Sequence, residues 1–504
     1  NTNNEFELIF NINAKEKFYF NDLKLNLPPD YNIDNFSKIS ELLKKTKNEP
    51  YSLNSIENIL DFLDEIIIGE QFEAIKASVT EKINDNKIDL TFNIEETEKF
   101  FIERINLLGN NITDEKVIRN QLIIDEGDPY NEILQNKSIN NIKNLNFFKS
   151  VKSEVLPSKI DKNKIINIVV EEKATGEILA GAGVGTSGGT VTAAVKENNF
   201  LGKGIGFNAS LTVSEEDIKG SFSANNPNFR NTDKEVYLLV QTLETNKLDD
   251  AGYKTNKTGF EAGTSFEYYD DVILGLGFSN FYERISTNSN ASVRQKLQKG
   301  NYWDSFLKLN LTYDKRNQKF QTTKGFVSRY SLSVPTISDT NTLNNSYSYR
   351  YYTELYDENV SSFGFSLNSA FSIDGNNIKL SERLFIPSKK LRGFELGKIG
   401  PKDNKDFVGG NYSATLNFST TLPQILANNQ NTDFLLFMDF ANLWGVDYDS
   451  SIDDAYGNSI RGSIGIGVDW FTPIGPLNMS LTQPLLKENT DITETFRFNI
   501  GTTF

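Results

Sequence analysis

The chemistry open to this 504-residue chain is narrow, because two of the usual catalytic residue types are missing. It contains no histidine and no cysteine, which excludes Ser-His and Cys-His nucleophilic catalysis, imidazole zinc sites and disulfides. Carboxylates are plentiful, but they form no catalytic pattern, and no GxxxxGK[ST] phosphate-binding motif occurs. We therefore expect no enzyme activity, no cofactor and no metal site.

One carboxylate stands out because of its neighbours. Asp439 lies within FLLFMDFANLW, residues 434–444, where almost every flanking residue is apolar. An aspartate in so apolar a strand is costly unless its charge is paired or solvated. The sequence therefore leaves two readings open: Asp439 has a cationic partner, or it faces water in the interior of a barrel.

Composition narrows the class of protein further. The formal net charge of −15 disfavours nonspecific binding to nucleic acid, and otherwise indicates solubility. No run of about 18 apolar residues is present, as a membrane-spanning helix would need. A transmembrane β-barrel escapes that test, because only alternate residues of each strand face lipid.

From about residue 175 to residue 504 the pattern alternates with a period of two, which is typical of strands with one apolar face. Residues 207–213, 307–313, 363–367 and 464–470 show it most clearly. A soluble β-sandwich would alternate in the same way, but strands of about ten residues and a terminal strand that ends in an aromatic favour a membrane barrel. The sequence predicts an all-β transmembrane barrel of about 16 antiparallel strands.

The first third of the chain contains a repeated β-α-α-β-β unit. One copy covers residues 15–96 and a second covers residues 97–174, with a helix N-cap predicted at Thr113. Residues 1–14 read as the last strand of a preceding, truncated copy. The repeat phase therefore predicts that the natural protein extends further towards the N-terminus, by an unknown number of modules.

A charged, glycine-punctuated stretch, LRGFELGKIGPKD at residues 391–403, interrupts the strands. It resembles the signature loop of the BamA family of outer-membrane protein insertases, and the whole loop would span about 376–408. The likeness is carried by Leu391, Arg392, Gly393, Phe394, Ile399, Gly400 and Pro401. The repeated units resemble α+β POTRA modules, most clearly in GN…GDPY…NFFKSV within residues 109–151.

This resemblance implies a function and a location. Family members fold and insert β-barrel proteins into the bacterial outer membrane through a lateral seam, without ATP, while their POTRA modules lie in the periplasm. The expected partners are unfolded barrel clients, periplasmic lipoproteins that dock on the POTRA modules, and outer-membrane lipid. A transporter that exports one partner polypeptide, a passive porin-like channel and an assembly factor specialised for autotransporters are the alternatives.

The resemblance also implies an ion pair in the barrel interior. In the family, the loop arginine pairs with an aspartate on a late strand, which here would join Arg392 to Asp439. Many members add a glutamate on the strand after the loop, whereas this chain has Asn417. The arginine is therefore expected to have one anionic partner instead of two.

The first and last barrel strands are expected to form a weak lateral seam. Glycines on one face of the first strand weaken it and allow close backbone approach. Room for lumenal side chains explains them equally well. The expected seam residues are Gly181, Gly183, Gly185, Phe496, Phe498, Ile500, Gly501 and Phe504.

Overall fold

The computed structural model describes most of the chain, in two compact units, Asn1–Lys173 and Ala174–Phe504. The described residues are 17–28, 36–52, 55–56, 59–60, 62–63, 66, 75–96, 98–185, 188–249, 252–317, 322–355, 359–403, 406–422, 432–447, 459–472 and 475–501. The strand predicted within residues 1–14 and the seam residue Phe504 lie outside them.

The first repeat is a three-stranded sheet with a helix packed on it. It comprises β1 (Tyr19–Asn26), α1 (Ser37–Thr46), β2 (Ile75–Asn84) and β3 (Lys87–Glu96), in the sheet order β1-β3-β2. Strand β1 runs parallel to β3, whereas β2 is antiparallel to it. Its core of buried apolar side chains includes Phe36, Ile39, Leu43, Leu90 and Phe92. The second predicted helix of this repeat lies within residues 53–67, which are only partly described.

The second repeat has the same topology. It comprises β4 (Phe101–Leu108), α2 (Glu115–Arg119), α3 (Glu132–Asn144), β5 (Phe148–Pro157) and β6 (Asn163–Glu172), in the sheet order β4-β6-β5. Helix α3 is capped by the Asn131 side chain, which accepts the N–H groups of Ile133 and Leu134.

The predicted N-cap at Thr113 is wrong. Helix α2 begins two residues later, and no side chain caps it at Asp114. The Thr113 N–H instead donates to the Glu172 carboxylate at 2.7 Å, together with the N–H groups of Asn111 and Ile112. This carboxylate collects the free amides of the turn, so a threonine cap is not needed there.

The second unit is a closed barrel of sixteen antiparallel strands, which confirms the predicted architecture. In chain order, the strands are β7 (Gly176–Gly185), β8 (Gly188–Phe200), β9 (Ile205–Ser214), β10 (Asp217–Asn226), β11 (Glu235–Lys247), β12 (Tyr253–Tyr269), β13 (Val272–Thr287), β14 (Gly300–Asp314), β15 (Gly325–Pro335), β16 (Thr342–Thr353), β17 (Ser361–Ser372), β20 (Tyr412–Thr421), β21 (Thr432–Trp444), β22 (Arg461–Thr472), β23 (Gly475–Leu486) and β24 (Phe496–Gly501). The small strands β18 (Lys402–Asp403) and β19 (Asp406–Phe407) pair with each other outside the barrel sheet.

The expected strand length of about ten residues holds only as an average. Strand β12 has 17 residues, whereas β9 has 10, and β24 is described only as far as Gly501. The wall is therefore uneven around its circumference.

The barrel is apolar outside and polar inside. Outward side chains such as Leu211, Leu307 and Leu367 are half exposed, as expected for a surface that meets hydrocarbon. Charged side chains such as Glu283 and Asp439 are fully buried in the interior. This arrangement reverses that of a water-soluble domain, so the alternation predicted from the sequence separates a lipid-facing surface from a polar lumen.

Among the described barrel residues, a short α-helix interrupts the strands, although no helix was predicted in this region. Helix α4 (Val293–Leu297) follows β13, and Ser292 and Gln295 form a capping box at its start. Among the described residues, no helix is both long and apolar enough to cross a membrane.

Candidate functional site: the lumenal loop and the seam

The connection between β17 and β20, residues 373–411, is the predicted signature loop, and it folds into the barrel. Four of its apolar side chains are buried against Ala441 and Leu443 on the inner face of β21; they are Ile386, Leu391, Phe394 and Ile399. We call residues 373–411 the lumenal loop.

Arg392 of the lumenal loop pairs with Asp439 of β21, as the family resemblance implied. Its Nε donates to Asp439 Oδ2 at 2.6 Å and its second terminal nitrogen to Oδ1 at 2.8 Å. The Arg392 backbone N–H also donates to Oδ2 at 3.1 Å. The guanidinium stacks 3.4 Å from the centre of the Phe437 ring. This is a bidentate, charge-assisted contact to a fully buried carboxylate, which we call the latch.

Neutral side chains complete the latch. Asn417 donates one bond to Asp439 Oδ1 at 2.8 Å and another to the Lys390 carbonyl at 2.7 Å. Ser463 on β22 donates to the Arg392 carbonyl at 2.6 Å. Asn417 stands where many family members have a glutamate, and it supports the single carboxylate with a donor instead of adding a second anion.

The glycines of the loop are required by its backbone. Gly393 has φ of +87°, and a Cβ there would lie 2.6 Å from Thr482 Cγ2 on β23. Gly400 has φ of +90°, and a Cβ there would lie 2.9 Å from Leu443 Cδ2. The next residue, Pro401, accepts the N–H of Val408 at 3.0 Å. The seven signature residues therefore lie close together in the lumenal loop, which packs against β21 and β23.

A second buried charge cluster, which the sequence reasoning missed, anchors the start of the loop. Lys379 Nζ lies 2.9 Å from Glu283 Oε2 on β13, contacts Asp304 on β14, and lies 3.6 Å from Glu382. All four side chains are at least 95% buried. Glu283 and Asp304 interrupt aromatic strands just as Asp439 does, so the criterion that picked out Asp439 could have found them.

Two side chains of helix α4 hold the β18–β19 hairpin of the lumenal loop. Arg294 of α4 bonds Asp403 at 3.0 Å, and Gln295 donates to Asp406 at 2.6 Å. Burial raises the pKa of Asp406 to about 6, although the Lys247 cation and the bond from Gln295 oppose that rise. The described part of the chain contains no cluster of carboxylates arranged to hold a metal ion.

The barrel closes through a seam between its first and last strands. Among the described residues, β24 pairs with β7 at three positions: Asn499 with Gly185, Ile500 with Val184, and Gly501 with Gly183. On its other side, β7 pairs with β8 at ten positions. Because Val184 and Ile178 are exposed on the outer face, alternation places Gly181 and Gly183 on the lumenal face.

The aromatic seam residues that the structure describes lie on one face of β24. The rings of Phe496 and Phe498 stack 6.1 Å apart, and these residues pair with Leu481 and Met479 of β23. Among the described seam residues, Gly183, Gly185, Ile500 and Gly501 pair across the closure. Gly181, Phe496 and Phe498 lie on the same two strands, but their printed partners are on β8 and β23.

The fold and the site together define a class: POTRA-like modules linked to a sixteen-stranded barrel whose interior holds a loop latched by arginine. Comparison with known families agrees. Residues 199–504 match the Omp85 superfamily domain, and residues 100–173 match POTRA, the surface antigen variable number repeat. The chain belongs to the Omp85 superfamily.

Two curated relatives carry the name outer membrane protein assembly factor BamA. The protein of Neorickettsia risticii is 25% identical over 93% of this chain, and that of Neisseria meningitidis is 23% identical over 95% of it. The chain spans 64% and 66% of the lengths of these two relatives.

Solved structures support the fold. BamA from Haemophilus ducreyi lacking POTRA domains 1–3 matches with a TM-score of 0.70 at 20% identity, covering 97% of this chain and all of that one. CdiB from Acinetobacter baumannii matches with a TM-score of 0.54 at 12% identity, covering 97% of this chain and 91% of that one.

Proposed function

We propose that this chain is an outer-membrane protein assembly factor, which folds and inserts β-barrel proteins into the bacterial outer membrane through the β7–β24 seam. The observation that carries the proposal is that the barrel closes between its first and last strands, where β24 pairs with the glycine-bearing end of β7. Backbone groups cannot stay unpaired in hydrocarbon, so an edge that opens must acquire another strand. An incoming client strand meets that need.

The source of free energy follows from the same geometry. A client strand that pairs with the freed edge of β7 satisfies backbone N–H and C=O groups that lipid would leave unpaired. Each added client strand then extends the sheet until the client closes on itself, which removes its edges. The free energy of client folding drives insertion, so the activity requires no nucleotide.

The POTRA modules supply the first docking sites for clients. The middle strands of the two sheets are β3 and β6, which leaves β1 and β2 as edge strands in one module and β4 and β5 in the other. An unfolded polypeptide can add to such an edge as a further strand. Periplasmic lipoproteins dock on the module of residues 97–174, and outer-membrane lipid covers the apolar outer face of the barrel.

A secretion transporter and a passive channel are the competing functions. Both need an open lumen, whereas the described part of the lumenal loop occupies the interior and is held there by two buried charge clusters. A factor specialised for autotransporter clients differs from a general assembly factor only in the range of clients that it folds. Testing several unrelated client barrels therefore distinguishes the two kinds of factor.

The test places the purified chain in liposomes and follows the folding of a urea-unfolded client barrel by protease protection. The proposal predicts faster protection than in empty liposomes, without nucleotide, for several unrelated client barrels. Acceleration limited to autotransporter barrels would identify the specialised factor. No acceleration, combined with steady ion conductance, would contradict the proposal and favour a channel or secretion role.

A further inference from the structure

The turn between β23 and β24, residues 487–495, is bonded to the lumenal loop through the main chain. The Glu494 N–H donates to the Gly393 carbonyl at 3.0 Å. The Glu395 N–H donates to the Ile492 carbonyl at 3.0 Å, and the Ile492 N–H donates to the Lys398 carbonyl at 3.1 Å. The loop and this turn therefore share a short ladder that lies outside the barrel sheet.

A side chain of the last strand joins the same ladder. Arg497, the second residue of β24, donates to the Phe394 carbonyl at 2.9 Å. Its Nε also donates to Glu494 at 2.7 Å. Phe394 in turn forms an isolated β-bridge with Thr493. A charged donor to a carbonyl is a strong hydrogen bond, and this one attaches β24 itself to the loop.

A buried ion pair fixes the other side of the turn. Arg461, the first residue of β22, bonds both carboxylate oxygens of Asp491, at 3.0 and 3.2 Å. Both side chains are fully buried. Asp491 also accepts the Glu488 N–H at 2.8 Å. The turn is thus bonded to β22 through Arg461 and to the lumenal loop through the main-chain ladder.

These contacts matter because they hold β24 in addition to its pairs within the sheet. Among the described residues, β24 pairs with β23 at five positions and with β7 at three. The loop residues that bind the turn, Gly393 and Phe394, directly follow Arg392 of the latch. Only one or two peptide units therefore separate Arg392 of the latch from the loop residues that bind the turn and β24.

We propose that Arg497 is a positioning residue that ties the seam strand β24 to the lumenal loop, so that the attachment of β24 follows the state of the Arg392–Asp439 latch. The Arg461–Asp491 pair keeps the turn in place while this tie is made or broken. The importance of the tie for client insertion rests on the proposed function, but the tie itself is measured without any client.

The test is hydrogen–deuterium exchange of the full chain in lipid nanodiscs, read at the amides of residues 494–501. Arg497→Gln removes the bond to Phe394 and should speed their exchange about tenfold or more, and Arg497→Lys should restore part of the protection. Arg392→Gln should also speed exchange in 494–501, although its partner lies on β21. Arg329→Gln, on β15 across the barrel, is the matched control and should leave these amides unchanged.

The double variant Arg392→Gln/Arg497→Gln decides whether the two sites act together. If they do, its exchange in 494–501 should not exceed that of the faster single variant, because both changes release the same tie. Additive effects, or an Arg392→Gln protein with wild-type exchange in β24, would overturn the proposal. If Arg497→Gln does not fold, the Arg392→Gln measurement alone carries the same decision.

Discussion

Two regions of the barrel wall differ in how their strands are joined. Strands β12 to β14 are consecutive in the chain and pair at sixteen and fourteen positions, whereas β24 and β7 come from opposite ends of the barrel sequence and pair at three positions among the described residues. A chain connection holds neighbouring strands of the long region, β12 to β14, together if some of their pairs break, but no such connection joins β24 to β7. This difference is the reason why we propose the seam as the line at which the barrel opens.

The lumenal loop connects these two regions. Lys379 anchors its start to β13 and β14 of the long wall, while Arg392 and the ladder beyond it hold β21 and the turn before β24. One end of the loop therefore rests on the long region and the other lies beside the seam, where we propose that the barrel opens. Changes at the two anchors should have different consequences.

Breaking the long-wall anchor should give the largest loss of stability. Lys379→Met leaves Glu283 and Asp304 buried without their cation, and removing one partner of a buried pair costs about 3–5 kcal/mol. Urea unfolding in detergent micelles measures this loss. The triple variant Lys379→Met/Glu283→Gln/Asp304→Asn should recover much of it, because no buried charge remains. Failure of the triple variant to recover would show that packing, and not charge, holds this anchor.

Breaking the latch should cost less overall but should loosen the seam. Asp439→Ala leaves Arg392, whose side chain is 20% exposed, without its carboxylate, for an expected loss near the lower end of about 3–5 kcal/mol. Limited proteolysis should then cut residues 388–400 sooner than in Lys379→Met. Equal cleavage of this segment in the two variants would contradict the division of the loop into two separately anchored ends.

A backbone change beside Arg392 should disturb the contact between the lumenal loop and β23. Gly393→Ala places a Cβ at a positive φ and against the methyl group of Thr482, so we expect a loss of about 1–2 kcal/mol in the free energy of unfolding. Gly375→Ala is the matched control, since its φ is +79° but no atom lies within 4 Å of the added Cβ. An equal loss in both variants would show that backbone strain outweighs the close approach to β23.

The smallest expected effect depends on pH. The pKa of Asp406 is raised to about 6 by burial, so the closed β18–β19 hairpin binds a proton more tightly than a released one does. Closure should therefore strengthen as pH falls from 7 to 5, by about 1 kcal/mol at most. Hydrogen–deuterium exchange of the Phe407 amide, compared at each pH with that in the Asp406→Asn variant, measures this change in hairpin closure. A hairpin that loosens at pH 5 would contradict the assignment.

The sequence predicted the architecture well because simple physical rules determine it. Period-two alternation follows from lipid on one face and a polar lumen on the other, and it led to the correct number of strands. The partner of Asp439 was identified through the family resemblance, because the apolar setting of Asp439 left both a cationic partner and lumenal water open. The seam was placed by joining the first and last strands.

What the sequence did not reveal depends on register and on the path of the loop. Glu283 and Asp304 sit on neighbouring strands, and only the path of residues 373–411 brings Lys379 between them. The bond from Arg497 to Phe394 likewise joins residues 103 positions apart. Thr113 was assigned a cap from local sequence, but Glu172, 59 residues away, takes its N–H instead.

The most direct test cross-links the seam and the long region in turn. The chain has no cysteine, so Val184→Cys/Ile500→Cys creates one disulfide across the seam, and Thr264→Cys/Leu276→Cys creates one within the long wall. Client folding in liposomes is then followed by protease protection. We expect oxidation of the seam pair to abolish acceleration, reductant to restore it, and the wall pair to have no effect. Full acceleration with the seam cross-linked would rule out insertion through the β7–β24 seam.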